Sequence, residues 1–202
     1  MGRVDITEIR RREIIEAASR VFSEKGYHNS SMADIATELQ VGHGTLYRYF
    51  NSKLDIASSV IDEVIMRITE VVAAEPPEGI TTVEEYRARL EGIGNRFFEL
   101  LEEYPDIQRL FFYEALSIDE TVAERINTVF TLAAAYTESY LKNGIENGFL
   151  KPDIHTHEAS LAINAMLFEA ARRLSQEPEI AEESKRAWFE TITGLMLEGL
   201  AV

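Results

Sequence analysis

Hydroxyl-bearing, aromatic and basic side chains cluster in one short stretch of the sequence, residues 43–49. Ile35 and Ala36 before it, with Leu46 and Phe50 farther on, recur at helical spacing and can share one buried face. A short helix that displays hydroxyls and a cation, with little bulk at its N-terminus, suits the major groove of duplex DNA. In isolation, the segment fits two helices of any small bundle equally well, so its surroundings must decide.

Start and stop signals divide the whole chain into helices, with no convincing strand or hairpin. Ser/Thr-x-x-Asp/Glu patterns, in which a hydroxyl and an acid can satisfy free amides, begin at Ser31, Ser52, Thr82 and Ser117. Glycines and prolines mark most helix ends. These signals predict an all-α fold of about nine helices, near 6–25, 32–39, 43–49, 53–75, 82–104, 106–116, 118–147, 155–175 and 182–200. The first three would form a helix-turn-helix DNA-binding domain (1–52), and residues 53–202 a larger α-helical domain for effector binding and dimerisation.

Charge is distributed unevenly along the 202 residues, whose net charge is −15. Residues 1–55 contain eight Lys and Arg and eight Asp and Glu, so the rest of the chain carries the whole excess. Only a neutral end with clustered arginines can approach a polyanion, although an acidic body also simply favours solubility. The sequence has no cysteine, no signal-peptide-like start and no stretch of eighteen apolar residues, so we expect a cytoplasmic protein without membrane contact.

A longer ordered string of residues surrounds the candidate recognition helix. It comprises Ile14-Ile15-Glu16-Ala17-Ala18, Phe22, Gly26-Tyr27, Asp34-Ile35-Ala36, Val41, the run from Gly44 to Phe50, and Ser52-Lys53. With this string, residues 9–60 resemble the TetR family of bacterial transcription repressors. Family members often carry a small residue where Gln40 stands, because a non-glycine residue in a left-handed turn costs roughly 1 kcal/mol.

The resemblance implies DNA-binding roles for Ser31, His43, Gly44, Thr45, Tyr47, Arg48, Tyr49 and Lys53. Ser31 and Lys53 would bind backbone phosphates. The hydroxyls at positions 45, 47 and 49 would reach phosphates or base edges, while His43 and Gly44 would lie nearest the bases. Tyr47 and Tyr49 could instead be partly core. The arginines at 10–12 could form an arm along the DNA or a solvated helix start.

The eighth predicted helix is apolar on nearly all its faces, so it must be covered on two sides. Together with the ninth helix it predicts a four-helix seam between two copies of the chain, which is also the homodimer that the resemblance implies. The expected interface residues are Ala165, Phe168, Ala171, Trp188, Ile192 and Leu195. A monomer with a thick core is the alternative.

Large apolar and aromatic residues are concentrated in the fifth to seventh predicted helices. The resemblance implies that this region forms a cavity for an unidentified small-molecule effector, hydrophobic or amphipathic in character. The candidate lining residues are Phe97, Phe98, Leu101, Phe111, Phe112, Phe130, Tyr136 and Tyr140. Any one of them could equally be ordinary core.

The sequence therefore predicts a ligand-responsive transcription regulator, most simply a repressor that an effector releases from a near-palindromic operator in double-stranded DNA. An activator of the same fold is the alternative, and an all-α enzyme or a protein-interaction module is a rival of another class. We recognise no nucleophile–base pair and no phosphate-binding glycine loop, so we expect no catalytic residue and no cofactor. His155 and His157 have no partners at metal-ligand spacing, and we expect them to be exposed and no metal to be bound.

Overall fold

The computed structural model describes residues 6–103, 110–114, 118–176 and 181–200, and these residues form the all-α fold that the sequence predicts. The helices are α1 (Ile6–Lys25), α2 (Met32–Glu38), α3 (His43–Leu46), α4 (Lys53–Ala73), α5 (Val83–Glu103), α6 (Leu110–Glu114), α7 (Glu120–Glu146), α8 (Thr156–Leu174) and α9 (Glu182–Leu200). α6 is a single π-helical turn, and most of the predicted helix at 106–116 lies outside the described residues.

The third helix is shorter than predicted and ends at Leu46 rather than at residue 49. The amides of Arg48 and Tyr49 donate to carbonyls three residues back, at 3.3 and 2.9 Å, so the chain tightens into a turn. The Phe50 amide then returns to the Leu46 carbonyl at 3.0 Å. The segment from 43 to 50 therefore stays a compact, backbone-bonded unit even though its regular helix is brief.

Internal packing divides the chain into two compact units. Unit 1 consists of Met1–Met66 and Tyr104–Asn127, and unit 2 consists of Arg67–Glu103 and Thr128–Val202. The chain passes from unit 1 to unit 2 within α4 and again within α7. The functional division at residue 52 stays a prediction.

The core of unit 1 forms where α1, α2 and the segment after α3 bring their apolar faces together. Phe22, Ile35, Leu46, Phe50 and Ile56 are almost completely buried there. Burying such side chains contributes about 1.5–3 kcal/mol each before the entropy cost of ordering them. Both short helices of the helix-turn-helix are therefore held by core residues and not only by their own hydrogen bonds.

The core of unit 2 is built on aromatic and aliphatic residues of α5, α7, α8 and α9. The ring of Tyr86 lies 5.6 Å from the rings of both Tyr140 and Phe149, measured between centroids. Leu141 and Leu150 are fully buried beside them. This packing also surrounds the cavity described below.

Within the described parts of the chain, no helix combines the length and hydropathy needed to cross a membrane. The same residues contain no group of three or more His, Asp or Glu side chains placed to hold a metal ion. His155 and His157 are exposed, as expected, and Nδ1 of His157 lies 3.9 Å from a carboxylate oxygen of Glu138.

Candidate nucleic-acid interface and ligand cavity

Ser31 begins α2 as the N-cap of a complete capping box. Its hydroxyl accepts from the amide of Asp34 at 3.2 Å, and the Asp34 carboxylate accepts from the Ser31 amide at 2.8 Å. Hydrogen bonds from Lys25 and then Ser31 lower the pKa of Asp34 to about 2, so this carboxylate is ionised at neutral pH. Ser31 itself is exposed, which keeps its predicted phosphate contact sterically open.

The turn between α2 and α3 contains the left-handed residue that the sequence predicts. Gln40 has a φ of 55°. Among the described residues it is the one non-glycine residue with a positive φ, a conformation that glycine adopts more readily. The amide of Val41 donates to the Ala36 carbonyl at 3.0 Å and closes the turn. Gly42 then caps α3 in an extended conformation.

The segment from 43 to 50 turns its apolar residues inward and its polar residues outward. Leu46 and Phe50 are buried, whereas Tyr47 is 55% exposed. His43, Gly44 and Arg48 are exposed, and Thr45 and Tyr49 are half-buried. A Cβ atom added at Gly44 would meet no atom within 4 Å, so nothing obstructs a close approach at this end of α3.

Lys53, predicted to neutralise a phosphate, is committed to contacts within unit 1. Its Nζ donates to the carbonyls of Tyr27 and Ser30, at 2.5 and 2.8 Å, and lies 4.1 Å from the centre of the Tyr27 ring. These bonds attach the first residue of α4 to the connection between α1 and α2. A phosphate contact remains a proposal, and it would have to coexist with this structural role.

Arg11 has a comparable structural role that the sequence did not reveal. Its guanidinium donates to the carbonyl of Tyr49 at 2.5 Å and lies 4.1 Å from the centre of the Phe50 ring. Arg11 therefore braces the C-terminal end of the candidate recognition segment. Its neighbour Arg10 pairs with Glu13 on the surface of α1 at 2.5 Å.

Unit 2 contains an apolar cavity of about 140 Å³. Four residues predicted to contact an effector line it: Phe97, Phe98, Tyr136 and Tyr140. Phe111 and Phe112 belong to unit 1 and are not among the lining residues. Phe130 stacks edge-to-face on the lining residue Phe168, with ring centroids 4.5 Å apart. The side chain of Leu101 lies outside the described part of the chain.

The last turns of α4 also line the cavity, a contribution that the sequence did not indicate. Ile68, Val71 and Val72 face it. The hydroxyl of Tyr136 lies within hydrogen-bond distance of two carbonyls, those of Val72 (2.6 Å) and Glu75, and shares its one hydrogen between them, while the hydroxyl of Tyr140 donates to the Glu75 carbonyl. Two lining side chains therefore cap the C-terminal end of α4.

Polar residues from α8 and α9 complete the lining. Asn164 and Thr193 line the cavity among apolar neighbours, and Asn164 is the one polar residue in the run from Leu161 to Phe168. That interruption is a signal that sequence reasoning could have used to find it.

The predicted interface residues differ in their exposure. Ala165 and Leu195 are exposed, and Phe168 and Trp188 are half-buried. Ala171 and Ile192 are buried within unit 2, and Ile192 also lines the cavity, along with Phe168. Leu161 and Leu167, which were not among the predicted interface residues, are exposed leucines on α8.

Comparison with known proteins agrees with these features. Residues 14–60 match the family model described as "Bacterial regulatory proteins, tetR family". The fatty acid metabolism regulator protein of Bacillus subtilis is 28% identical over 139 residues, covering 69% of this chain and 70% of that protein. The transcriptional activator FasR of Mycolicibacterium smegmatis is 29% identical over 117 residues, covering 58% of this chain and 52% of that protein.

Solved structures show the same fold over nearly the whole chain. The fatty acid degradation regulator FadR of Bacillus halodurans superposes with a TM-score of 0.79 at 23% identity, covering 98% of both chains. FadR of Bacillus subtilis in complex with stearoyl-CoA superposes with a TM-score of 0.76 at 23% identity, covering 93% of this chain and 98% of that one.

A helix-turn-helix that displays its second helix, in a chain that also contains an apolar cavity, defines the class of ligand-responsive DNA-binding regulators of transcription. Within that class, residues 14–60 match the TetR family of bacterial regulatory proteins, and the chain as a whole is similar to regulators of this kind in sequence and fold.

Proposed function

We propose that the protein is a homodimeric repressor that leaves its operator when a hydrophobic or amphipathic small molecule enters the cavity of unit 2. The observation that carries the DNA-binding proposal is the outward display of Tyr47 at the C-terminal end of α3, on a segment that Leu46 and Phe50 anchor in the core and whose start at Gly44 is unobstructed. Two such segments, about one DNA turn (~34 Å) or a multiple apart, would enter successive major grooves of a near-palindromic site.

Homodimer formation is supported by exposed apolar residues on two helices of unit 2. Leu161 and Ala165 on α8 and Leu195 on α9 are exposed. Burying such side chains against a symmetry-related copy would remove apolar surface from water, which is the main favourable term in association. The buried positions Ala171 and Ile192 would then support this surface from within.

The effector class is supported by the apolar lining of the cavity and by two similar proteins. One relative is named as a regulator of fatty acid metabolism, and one structural neighbour holds stearoyl-CoA. We propose that the cavity of this chain accepts a molecule with a comparable apolar portion.

Helix α4 gives the effector a physical route to the DNA-binding region. Its first residue is bonded to the Tyr27 and Ser30 carbonyls, and its C-terminal end is capped by the cavity residues Tyr136 and Tyr140. A ligand that moves either tyrosine changes the capping of this one helix. DNA and effector affinities must be coupled reciprocally, and a 100-fold change in operator affinity needs only about 2.7 kcal/mol.

DNA binding is tested by titrating the protein with random-sequence duplex at several salt concentrations. We expect affinity that falls steeply as salt rises, because phosphate contacts release counterions. Absence of salt-dependent binding would favour an interaction module. Transcription in vitro from a bound promoter then distinguishes repression from activation. Activation is the alternative, because one relative is named as a transcriptional activator.

We further propose that the protein acts by binding alone, without catalysis, and in the cytoplasm. Its relatives are transcription regulators, and the described cavity lining carries no acid, base or histidine side chain that could act as a catalytic pair.

A further inference from the structure

We propose that the cavity of unit 2 selects an uncharged, largely apolar molecule bearing one hydroxyl or amide N–H group, which donates a hydrogen bond to Oδ1 of Asn164. This inference rests on the proposed function, since it names the chemistry of the effector, and it adds a residue that would recognise it.

Asn164 is only 8% exposed, lines the cavity, and uses its amide nitrogen for every hydrogen bond that it makes within the described structure. Nδ2 donates to Oγ1 of Thr137 at 2.9 Å and to the carbonyl of Ser160 at 2.8 Å, with the carbonyl of Ala133 at 3.4 Å. Two of these three partners are carbonyls, which can only accept, so the amide cannot be rotated to put its oxygen there. Oδ1 is therefore left as an acceptor at the cavity wall.

A ligand that covers this oxygen without donating a hydrogen to it removes the acceptor from water, which costs about 1–3 kcal/mol. A ligand hydroxyl or amide N–H supplies the missing donor. A plain hydrocarbon or an ether oxygen does not.

Tyr86 adds a second polar group to the same wall. The residue is 1% exposed, and its hydroxyl has no hydrogen-bond partner among the described residues. Burial raises the pKa of Tyr86, so the group stays protonated at neutral pH and can donate or accept. A ligand hydroxyl, which also does both, matches this pair of groups better than a group that can only accept.

The charge and size of the cavity narrow the ligand class further. None of the described lining residues is acidic or basic, so an ionised ligand group inside would be left unpaired at a large desolvation cost. A cavity of about 140 Å³ is close to the roughly 150 Å³ that accommodates benzene, so it has room for about six or seven non-hydrogen atoms.

Calorimetric titration of the full chain with three straight-chain probes tests the inference: 1-hexanol, its isomer methyl pentyl ether, and hexanoate at pH 8. The first two share one formula and differ in the hydroxyl donor, while the third carries a charge. We expect 1-hexanol to bind about three- to tenfold more tightly than the ether, the range that one neutral hydrogen bond supplies, and hexanoate to bind more weakly still.

Asn164→Leu should abolish the preference for the alcohol over the ether. Asn143→Leu is the matched control and should keep that preference, because the side-chain oxygen of Asn143 has no hydrogen-bond partner among the described residues and Asn143 does not line the cavity. If Asn164→Leu does not fold, the wild-type comparison of alcohol and ether still decides.

Equal affinity for alcohol and ether, no binding of either, or tighter binding of hexanoate would overturn the inference. DNA binding is measured on the same preparations. Intact DNA binding without an alcohol preference would refute only the ligand class, whereas loss of salt-dependent DNA binding would refute the proposed function.

Discussion

Gln40 occupies the one backbone conformation in the helix-turn-helix that its side chain disfavours. Its φ of 55° brings Cβ close to the following carbonyl, and the turn is kept because Val41 bonds to Ala36 and the two flanking helices are anchored in the core. The strain is a property of this residue and not of the surrounding fold.

Gln40→Gly should therefore raise the free energy of unfolding, by up to about 1 kcal/mol after the entropy cost of glycine. Urea denaturation followed by circular dichroism measures it. Gln40→Ala keeps a Cβ and serves as the control, for which we expect no gain. A glycine variant no more stable than the alanine variant would mean that the turn relaxes without strain.

Tyr47 contributes to DNA binding in our account and little to stability. Because its side chain is 55% exposed, Tyr47→Ala should leave the unfolding midpoint nearly unchanged and weaken DNA binding by about 5- to 30-fold, the effect of losing one or two contacts. Fluorescence anisotropy with labelled duplex measures the affinity. Tyr113→Ala, which removes another exposed tyrosine, on α6, is the control and should bind normally. Wild-type affinity in Tyr47→Ala would refute the surface assignment.

Residue types alone could not show how Lys53 and Arg11 are used. Both are cations near a candidate DNA surface, which from sequence predicts phosphate contact. In the structure, both side chains donate to backbone carbonyls and lie against an aromatic ring. These partners are distant from them in sequence. Such contacts depend on tertiary packing, which a local pattern does not specify.

Helix boundaries, by contrast, were largely predictable, because they depend on local signals. The Ser31–Asp34 capping box begins α2, and apolar residues at helical spacing mark the buried faces of α1 and α9. Prediction of the cavity was less complete. Aromatic content identified Phe97 and Tyr136 but could not assign Phe111 to the other unit or reveal that Val72 of α4 lines the wall.

Helix α7 packs closely at Gly144 against the chain that follows it, and this contact between neighbouring segments can be tested. A Cβ added there would lie 2.6 Å from Cγ of buried Leu150 and 2.9 Å from Cε2 of Phe149. Gly144→Ala should therefore lower the free energy of unfolding by about 1–3 kcal/mol, as overpacking does in well-filled cores. Thermal unfolding measures it.

Gly199→Ala on α9 is the control for this variant, because a Cβ there would meet no atom within 4 Å. We expect its stability to stay within about 1 kcal/mol of wild type. Equal melting temperatures for Gly144→Ala and Gly199→Ala would show that the chain after α7 packs differently.

Dimerisation belongs to the whole molecule, and Leu195 on α9 provides its test. This side chain is 63% exposed, so Leu195→Glu should leave the fold intact and place a charge in the proposed seam. Light scattering at micromolar concentration should then report a monomer. Leu132→Glu changes a leucine that is 54% exposed on α7 and should remain dimeric. A wild-type protein that is itself monomeric would contradict the seam.

Charge is also a property of the whole chain, and it limits which part can meet DNA. The −15 net charge lies outside residues 1–55, so the acidic remainder repels phosphates while the helix-turn-helix segment does not. This distribution favours one orientation on the duplex and is consistent with reading by α3.

The central claim, that paired segments 43–49 read DNA, is tested most directly by selecting bound sequences from a random duplex pool with the full-length protein. We predict enrichment of a near-palindrome whose half-site centres lie about 10–10.5 base pairs apart or a multiple of that spacing, as two-fold related recognition helices require. Tyr47→Ala should fail to enrich it under the same conditions. A pool that stays random with wild-type protein, or the same motif selected equally well by Tyr47→Ala, would contradict the account.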